Sequence, residues 1–378
     1  MVNSKRIAAV AATLGTVILA AGCGGSSSGG SASSGKDFSK VTSAASGGGM
    51  AALIKAAKAE GSLNVIALPS NWANYGTIMK DFTAKYGIKI TDANPEGSSQ
   101  DEINAVQQEK GQSRAPDVLD TGTSFATEAQ AKGLLAPYKV ASWSAIPASS
   151  KSAQGDWYAD YGGYVAIGYD PKRVKVAPTS FASLLNPAYK HQVAINNNPT
   201  QAAAAFDAVW AAALANGGSF SNIAPGVTFF KKLHAEGNFV PVAAGPTTVE
   251  NGSTPIVVWW DYLMASEIQS AVKGFKVVIP SDASFAAYYD QSISATAPHP
   301  AAARLWEEYL YSTTGQNLWL QGQARPIELP AMVANGTVDK AAYAALPPSP
   351  SGTPTFPTDA QSTTAENVVT QTWPTVIG

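Results

Sequence analysis

The chain is short of charge, of histidine and of cysteine. Only 14% of its 378 residues are Asp, Glu, Lys or Arg, against roughly 25% in ordinary soluble domains. Its 25 basic and 27 acidic residues nearly cancel, for a formal charge of -2. Without clustered Lys and Arg there is no electrostatic basis for binding nucleic acid phosphates, so no nucleic acid partner is expected. A single cysteine, Cys23, excludes an intramolecular disulfide and a Cys-rich zinc site. His191, His234 and His299 stand far apart, and no G-x-S-x-G elbow, H-E-x-x-H pair or P-loop occurs in the body. A secreted enzyme therefore has little material for general base chemistry, and no catalytic residue, metal or cofactor is expected. No fixed-period repeat is present, which argues against solenoids and propellers.

What is present begins with an export signal. Lys5 and Arg6 precede an uncharged run, Ile7 to Gly22, closing on Leu19-Ala20-Ala21-Gly22-Cys23. A basic start, an apolar stretch short for spanning and small residues before a cut site predict a signal peptide over 1–22. Its end resembles a bacterial lipobox, with Ala20 at the usual leucine position, and this makes Cys23 the expected lipidation site; a plain secretory signal is the alternative. Cleavage there would leave 23 basic against 27 acidic residues, a charge of -4. Residues 23–49, mostly Gly, Ser and Ala, read as a flexible tether reaching on the order of 25 to 30 Å. Together these features predict a monomeric body held at the outer face of the cytoplasmic membrane by a lipid, with no later apolar run long enough to span.

From Met50 the pattern alternates between helices and strands. A helix with Leu53, Ile54 and Ala57 stops at Gly61 before the strand Leu63 to Leu68. A second, near Thr77 to Lys85, ends at Gly87 before Ile88 to Thr91. Ser99 can cap a helix to about Glu109, Val118 and Leu119 form a strand, and Phe125 to Lys132 form a helix. A second set follows: strands at Val165 to Tyr169, Gln192 to Ile195, Ile256 to Trp260, Phe275 to Ile279 and Ser292 to Ala295, and helices at Ala202 to Ala215, Phe229 to Glu236, Ala301 to Tyr311, Gln316 to Gln321 and Thr364 to Trp373. The alternation predicts an α/β protein built on parallel sheets, with two lobes and a central ligand cleft.

Ligands in such folds sit beyond the carboxyl ends of strands, where helix N-termini offer free N–H groups. The loop after the first strand carries Asn71, Trp72, Asn74 and Tyr75, two aromatics and two amides. Later loops offer Ser98 and Ser99, then Thr121 and Thr123, then Gln201 after Asn196-Asn197-Asn198; each small polar residue could bind ligand or cap a helix. Tyr161 precedes the second set. Trp260-Asp261 and Tyr289-Asp290 each place a carboxylate beside aromatics, the means by which proteins hold an ammonium group; capping or a hinge turn is the bland alternative.

Several segments together resemble the bacterial extracellular solute-binding proteins of ABC importers, in the group with polyamine- and ferric-ion-binding members. They are Ala57-Lys58-Ala59-Glu60-Gly61, Asn71-Trp72 with Tyr75, Phe82 to Ile88, Ala115-Pro116-Asp117-Val118, Pro178 to Leu185, Trp260-Asp261 and Ala297 to Ala303. The resemblance implies a type II periplasmic-binding-protein fold, with 50–165 plus 293–378 as one lobe and 166–292 as the other. It implies closure on a small solute by hinges near Tyr164 to Gly168 and Gln291 to Ser294, and delivery to an ABC permease. Asn71, Trp72 and Tyr75 match the aromatic loop of polyamine binders, and Tyr289-Asp290 their amine-gripping pair. Neutral amides at Asn74 and 196–201, where such binders offer carboxylates, favour a smaller amine or a zwitterion. An anionic solute such as a phosphonate, or ferric iron held by Tyr288 and Tyr289, are the other readings.

Overall fold

A computed structural model describes residues 36–350 and 354–376. The signal-like segment, Cys23 and the tether up to residue 35 lie outside the described residues. Residues 37–378 form one compact unit.

Ten strands are present among the described residues: β1 Ser62–Ile66, β2 Lys89–Ala93, β3 Val118–Gly122, β4 Leu135–Ala136, β5 Tyr158–Tyr169, β6 Val193–Ile195, β7 Ile256–Trp260, β8 Lys276–Val278, β9 Ala286–Ser294 and β10 Arg325–Pro326. β1 and β2 make a small parallel sheet. The rest make one sheet in the order β3-β9-β5-β7-β6, with β4 beside β9 and with β8 and β10 beside β5. The expectation of parallel sheets is corrected: β6 and β7 run parallel, but β9 pairs antiparallel with β3 and β5, and β5 antiparallel with β7. The reason is the two long strands β5 and β9. The first part of β5 pairs with β9 and β10, and its last part with β7 and β8, so one strand belongs to two regions of a curled sheet.

Both strands are longer than the apolar pattern predicts, because polar residues and glycines interrupt them. A bulge lies between Ala159 and Gly162. A Cβ on Gly162 would fall 2.1 Å from the Ala287 carbonyl oxygen, and one on Gly163 would fall 2.3 Å from Asp261 Oδ1. Only glycine fits where strands and a helix start approach so closely.

Helices cover the sheets where the sequence places them. Met50–Glu60 buries Leu53 and Ala57 and ends on Gly61 in the left-handed conformation; Tyr75–Tyr86 buries Ile78 and Phe82 and ends likewise on Gly87. The cap of Ser99–Gln108 is Ser98 rather than Ser99, in reciprocal bonding with Asp101. Ala203–Ala215 is buried nearly all round, as a helix of alanines and large apolar residues must be in a protein interior. Residues 37–49 depart from the expected tether. Phe38 and Val41 are buried, and Arg304 donates to the carbonyls of Val41 (2.6 Å) and Ser39 (2.9 Å), so this segment folds onto the body. The last helix, Asp359–Thr372, packs on Thr123–Ala131 and on Ala224–Ala235, and Trp373 meets Phe230 with ring centroids 5.5 Å apart. No helix among the described residues is long and apolar enough to cross a membrane.

Candidate functional site

A cleft of about 430 Å³ opens at the ends of β1, β3 and β7. Its walls come from the loop after β1, the start of Ser99–Gln108, the loop 196–202 leading into Ala203–Ala215, and the segment around Pro246. The loop after β1 is shaped by left-handed backbone at Ala67, Ala73 and Asn74 (φ 55, 44 and 69°). These residues pay a conformational cost that persists where the surroundings fix it, here to present Trp72.

Trp72, Trp259 and Tyr289 form the aromatic wall. Trp72 lies edge-on to both, with centroids 5.9 Å from Trp259 and 5.6 Å from Tyr289. Its indole Nε1 donates to the Tyr161 hydroxyl at 2.7 Å; that hydroxyl and the Tyr75 hydroxyl each donate to Asp120 Oδ2 at 2.8 Å. Gln291 Nε2 completes the network, donating to Tyr75 and to Asp160 Oδ2. The wall therefore stands on a buried polar base with little rotamer freedom.

The cleft is acidic. Glu96, Glu102, Asp120 and Glu267 line it, and no Lys, Arg or His is among its lining residues. Asn71 reaches across and donates to Glu267 Oε2 at 3.0 Å, leaving Oε1 buried without a partner. Burial, with the Glu96 charge adding and the Asn71 bond opposing, pushes Glu267 up to about 8. Burial and the neighbouring Asp120 charge hold Glu102 well above the usual carboxylate range, although Glu102 Oε2 accepts the Asp120 backbone N–H at 2.9 Å. Asp120 is raised by burial against the opposing tyrosine bonds, and Asp160 by burial and by Asp120, so the pair favours a shared proton. The lining therefore combines an excess of acid with no base.

Of the residues singled out from sequence, Asn71, Trp72, Ser98, Ser99 and Tyr289 line the cleft. Tyr75 and Tyr161 lie fully buried beneath it as its base. Asn74 turns away and donates to the Leu318 carbonyl at 2.8 Å. Thr121 is buried, Thr123 faces a separate cavity, and Gln201 is exposed, with its backbone carbonyl accepting from Gln100 N at 3.1 Å. Trp260 stacks on Tyr262 at 6.1 Å in the core. Asp261 does not reach the cleft: it accepts from Tyr164 N and from Arg325 Nη1, both at 2.8 Å, inside the protein. Asp290 also leaves it, because strand alternation sends Tyr289 to the cleft and Asp290 with Tyr288 to the opposite face. The same alternation places Trp259 in the cleft instead of Trp260. Glu96, Glu102, Asp120 and Glu267 are the groups that sequence reading missed. A signal existed for Glu102 alone, three residues after Ser99 on the first turn of a helix that faces the strand ends.

The sequence pattern of the bacterial extracellular solute-binding protein family matches residues 113–347. Among solved structures, the chain is similar to the periplasmic binding protein AfuA from Actinobacillus pleuropneumoniae with exogenous fructose-6-phosphate bound (17% identity, 83% of this chain and 99% of that one, TM-score 0.64). It is similar to iron-bound HitA from Pseudomonas aeruginosa (19%, 83% and 99%, TM-score 0.59). It is also similar to the spermidine/putrescine transporter substrate-binding protein PotD from Streptococcus pneumoniae (16%, 84% and 99%, TM-score 0.57). At these identities the likeness shows the fold, which is the type II periplasmic-binding-protein fold, and leaves the solute open.

Proposed function

The chain belongs to the bacterial extracellular solute-binding protein family, and from that premise we propose that it is the capture component of an ABC importer for an organic amine. Four carboxylates and three aromatic rings facing one cleft that has no basic residue among its lining carry this reading. The aromatic wall offers an ammonium group about 0.5 to 2 kcal/mol of cation–π attraction, and the carboxyls supply the opposite charge as they release their protons on binding. A phosphonate or sugar phosphate would find no basic side chain among the lining residues. Iron held jointly by Tyr288 and Tyr289 is disfavoured because the two side chains face different cavities, and no group of three or more His, Cys, Asp or Glu among the described residues could hold a metal. The acidity of the cleft removes the sequence-based argument against a diamine.

The proposed lobes are 50–165 with 293–378, and 166–292, with β5 and β9 as the crossings. The Asn71–Glu267 bond and the Trp72–Trp259 contact join residues from the two lobes across the cleft, which supports closure around the solute. The signal-like start supports export, Cys23 supports a lipid anchor outside the cytoplasmic membrane, and a membrane permease would take the solute from the monomeric carrier. A thermal-shift panel tests the reading: 1,4-diaminobutane, zwitterionic amino acids, a phosphonate, fructose-6-phosphate and ferric citrate, each at a concentration where a true ligand exceeds its Kd a hundredfold and stabilises by about 2.7 kcal/mol. Amines should shift the melting temperature; a shift with the anions alone would overturn the assignment.

A further inference from the structure

We propose that the protein holds a second site for a small primary ammonium ion, a narrow and partly open cavity with Asp207 and Asp290 in its lining, on the far side of the first turn of Ala203–Ala215 from the cleft. The cavity has about 40 Å³ of room and is lined by Trp157, Phe206, Trp210, Phe285, Tyr288 and Phe356 together with both aspartates. A water needs roughly 10 to 15 Å³ on the same scale, so the space suits a group of a few heavy atoms. Asp207 is 8% and Asp290 1% exposed. Neither oxygen of Asp290 has a hydrogen bond of ordinary geometry, although the Thr123 hydroxyl lies close enough to favour its ionised form. No Lys, Arg or His lines the cavity. A buried carboxyl without a partner, as Asp290 is, is costly, and Asp207 lines the same cavity.

The aromatic lining gives the chemistry of the occupant. Trp210 stacks with Phe285 at 5.8 Å and 27°, and Tyr288 packs on Phe356 at 5.5 Å. Aromatic rings and two carboxyls lining one cavity suit an organic ammonium, and the absence of a group of three acidic, His or Cys ligands among the described residues argues against a divalent metal. Burial pushes both aspartates well above the usual carboxylate range, and for Asp290 the charges of Asp120, Asp359 and Asp207 add to it. The wall between the two cavities is tight. Ala203 lines both, and a Cβ at Gly122 would fall 2.3 Å from the Ala203 Cβ. At this point the two cavities are divided by close packing, so the proposed second ligand is distinct from the solute proposed for the cleft.

Thermal unfolding of the purified full chain in methylammonium chloride, against sodium chloride at equal concentration, tests this. The wild type should gain about 2 °C or more in methylammonium. Glu267→Gln, altered only in the cleft, should keep the gain, whereas Asp290→Asn and Asp207→Asn should lose it. Asp290→Asn should still unfold cooperatively in sodium chloride, which shows that it folds. Tetraethylammonium is too large for the second cavity, so any gain it gives should be the same in Asp290→Asn as in wild type. No methylammonium gain in wild type, a gain undiminished by both aspartate changes, or a tetraethylammonium gain lost in Asp290→Asn would overturn the second site. A gain lost only in Glu267→Gln would overturn it while leaving the cleft assignment standing.

Discussion

Trp72 on the surface of the cleft and Tyr161 in the buried crossing strand are joined by a 2.7 Å hydrogen bond from indole to hydroxyl. Through it the residue proposed to meet the solute is fixed to the strand that links both regions of the sheet, and through Asp120 to Tyr75 on the helix after β1. An aromatic face held this way loses little freedom when a ligand arrives, which is how preorganisation raises affinity.

Trp72→Ala should therefore weaken amine binding by about 2- to 30-fold, the equivalent of about 0.5 to 2 kcal/mol of cation–π attraction. Trp72→Phe should fall between, since it keeps a ring and loses the bond to Tyr161. Titration calorimetry on the two variants checks the order; equal affinities for wild type and Trp72→Ala would remove Trp72 from the site.

The buried carboxyls make stability depend on pH with a definite sign. Glu267 is raised from 4.5 to about 8, and Glu366, buried and near the charge of Glu128, likewise to about 8. A raised carboxyl binds its proton more tightly folded than unfolded, so its contribution is full below about pH 4.5 and is lost as pH rises through about 8. The ligand-free protein should accordingly melt lower at pH 8 than at pH 5.5. Amine affinity should move the opposite way over pH 6 to 8, with proton release on binding, because a cation favours ionised Glu267. Glu267→Gln should flatten both trends. A melting temperature that climbs from pH 5.5 to 8 would contradict the assignment.

Much of this architecture is legible in the sequence. Gly61 and Gly87 stop the helices they were expected to stop, and β1, β7 and the alanine-rich helix fall where their apolar runs predict. The crossing strands were under-read because Asp160, Gly162, Gly163, Asp290 and Gln291 break the apolar pattern, and their burial becomes understandable only from the partners they meet in three dimensions. For the site, alternation on β7 and β9 decides which of two adjacent aromatics faces the solute. Trp259-Trp260 and Tyr288-Tyr289 carry no local sign of that choice. Glu267 enters the cleft from a helix that follows β7 and is matched to Asn71 almost two hundred positions away, a pairing no local pattern encodes.

Asp261 and Arg325 form a buried ion pair at 2.8 Å beneath the surface of the fold. Removing one partner strands a charge, so Arg325→Ala should cost about 3 to 5 kcal/mol in chemical denaturation while leaving amine affinity within about twofold. A stable Arg325→Ala protein with much weaker binding would return Asp261 to the solute site.

Gly163 meets Asp261 Oδ1 and the Tyr262 ring at 2.3 and 2.5 Å from where a Cβ would stand. Gly163→Ala should destabilise by about 1 to 3 kcal/mol, as overpacking does in a close-fitting interior. An unchanged denaturation midpoint would show that the two strands separate more easily than their contacts imply.

The most direct test is a calorimetric titration of 1,4-diaminobutane into wild type and Glu267→Gln at pH 7.5, with fructose-6-phosphate titrated in parallel. An acidic, aromatic cleft predicts that the diamine binds the wild type, that Glu267→Gln weakens it at least about tenfold, and that the sugar phosphate gives no heat of binding. Tight binding of fructose-6-phosphate, or a diamine affinity indifferent to Glu267, would contradict it.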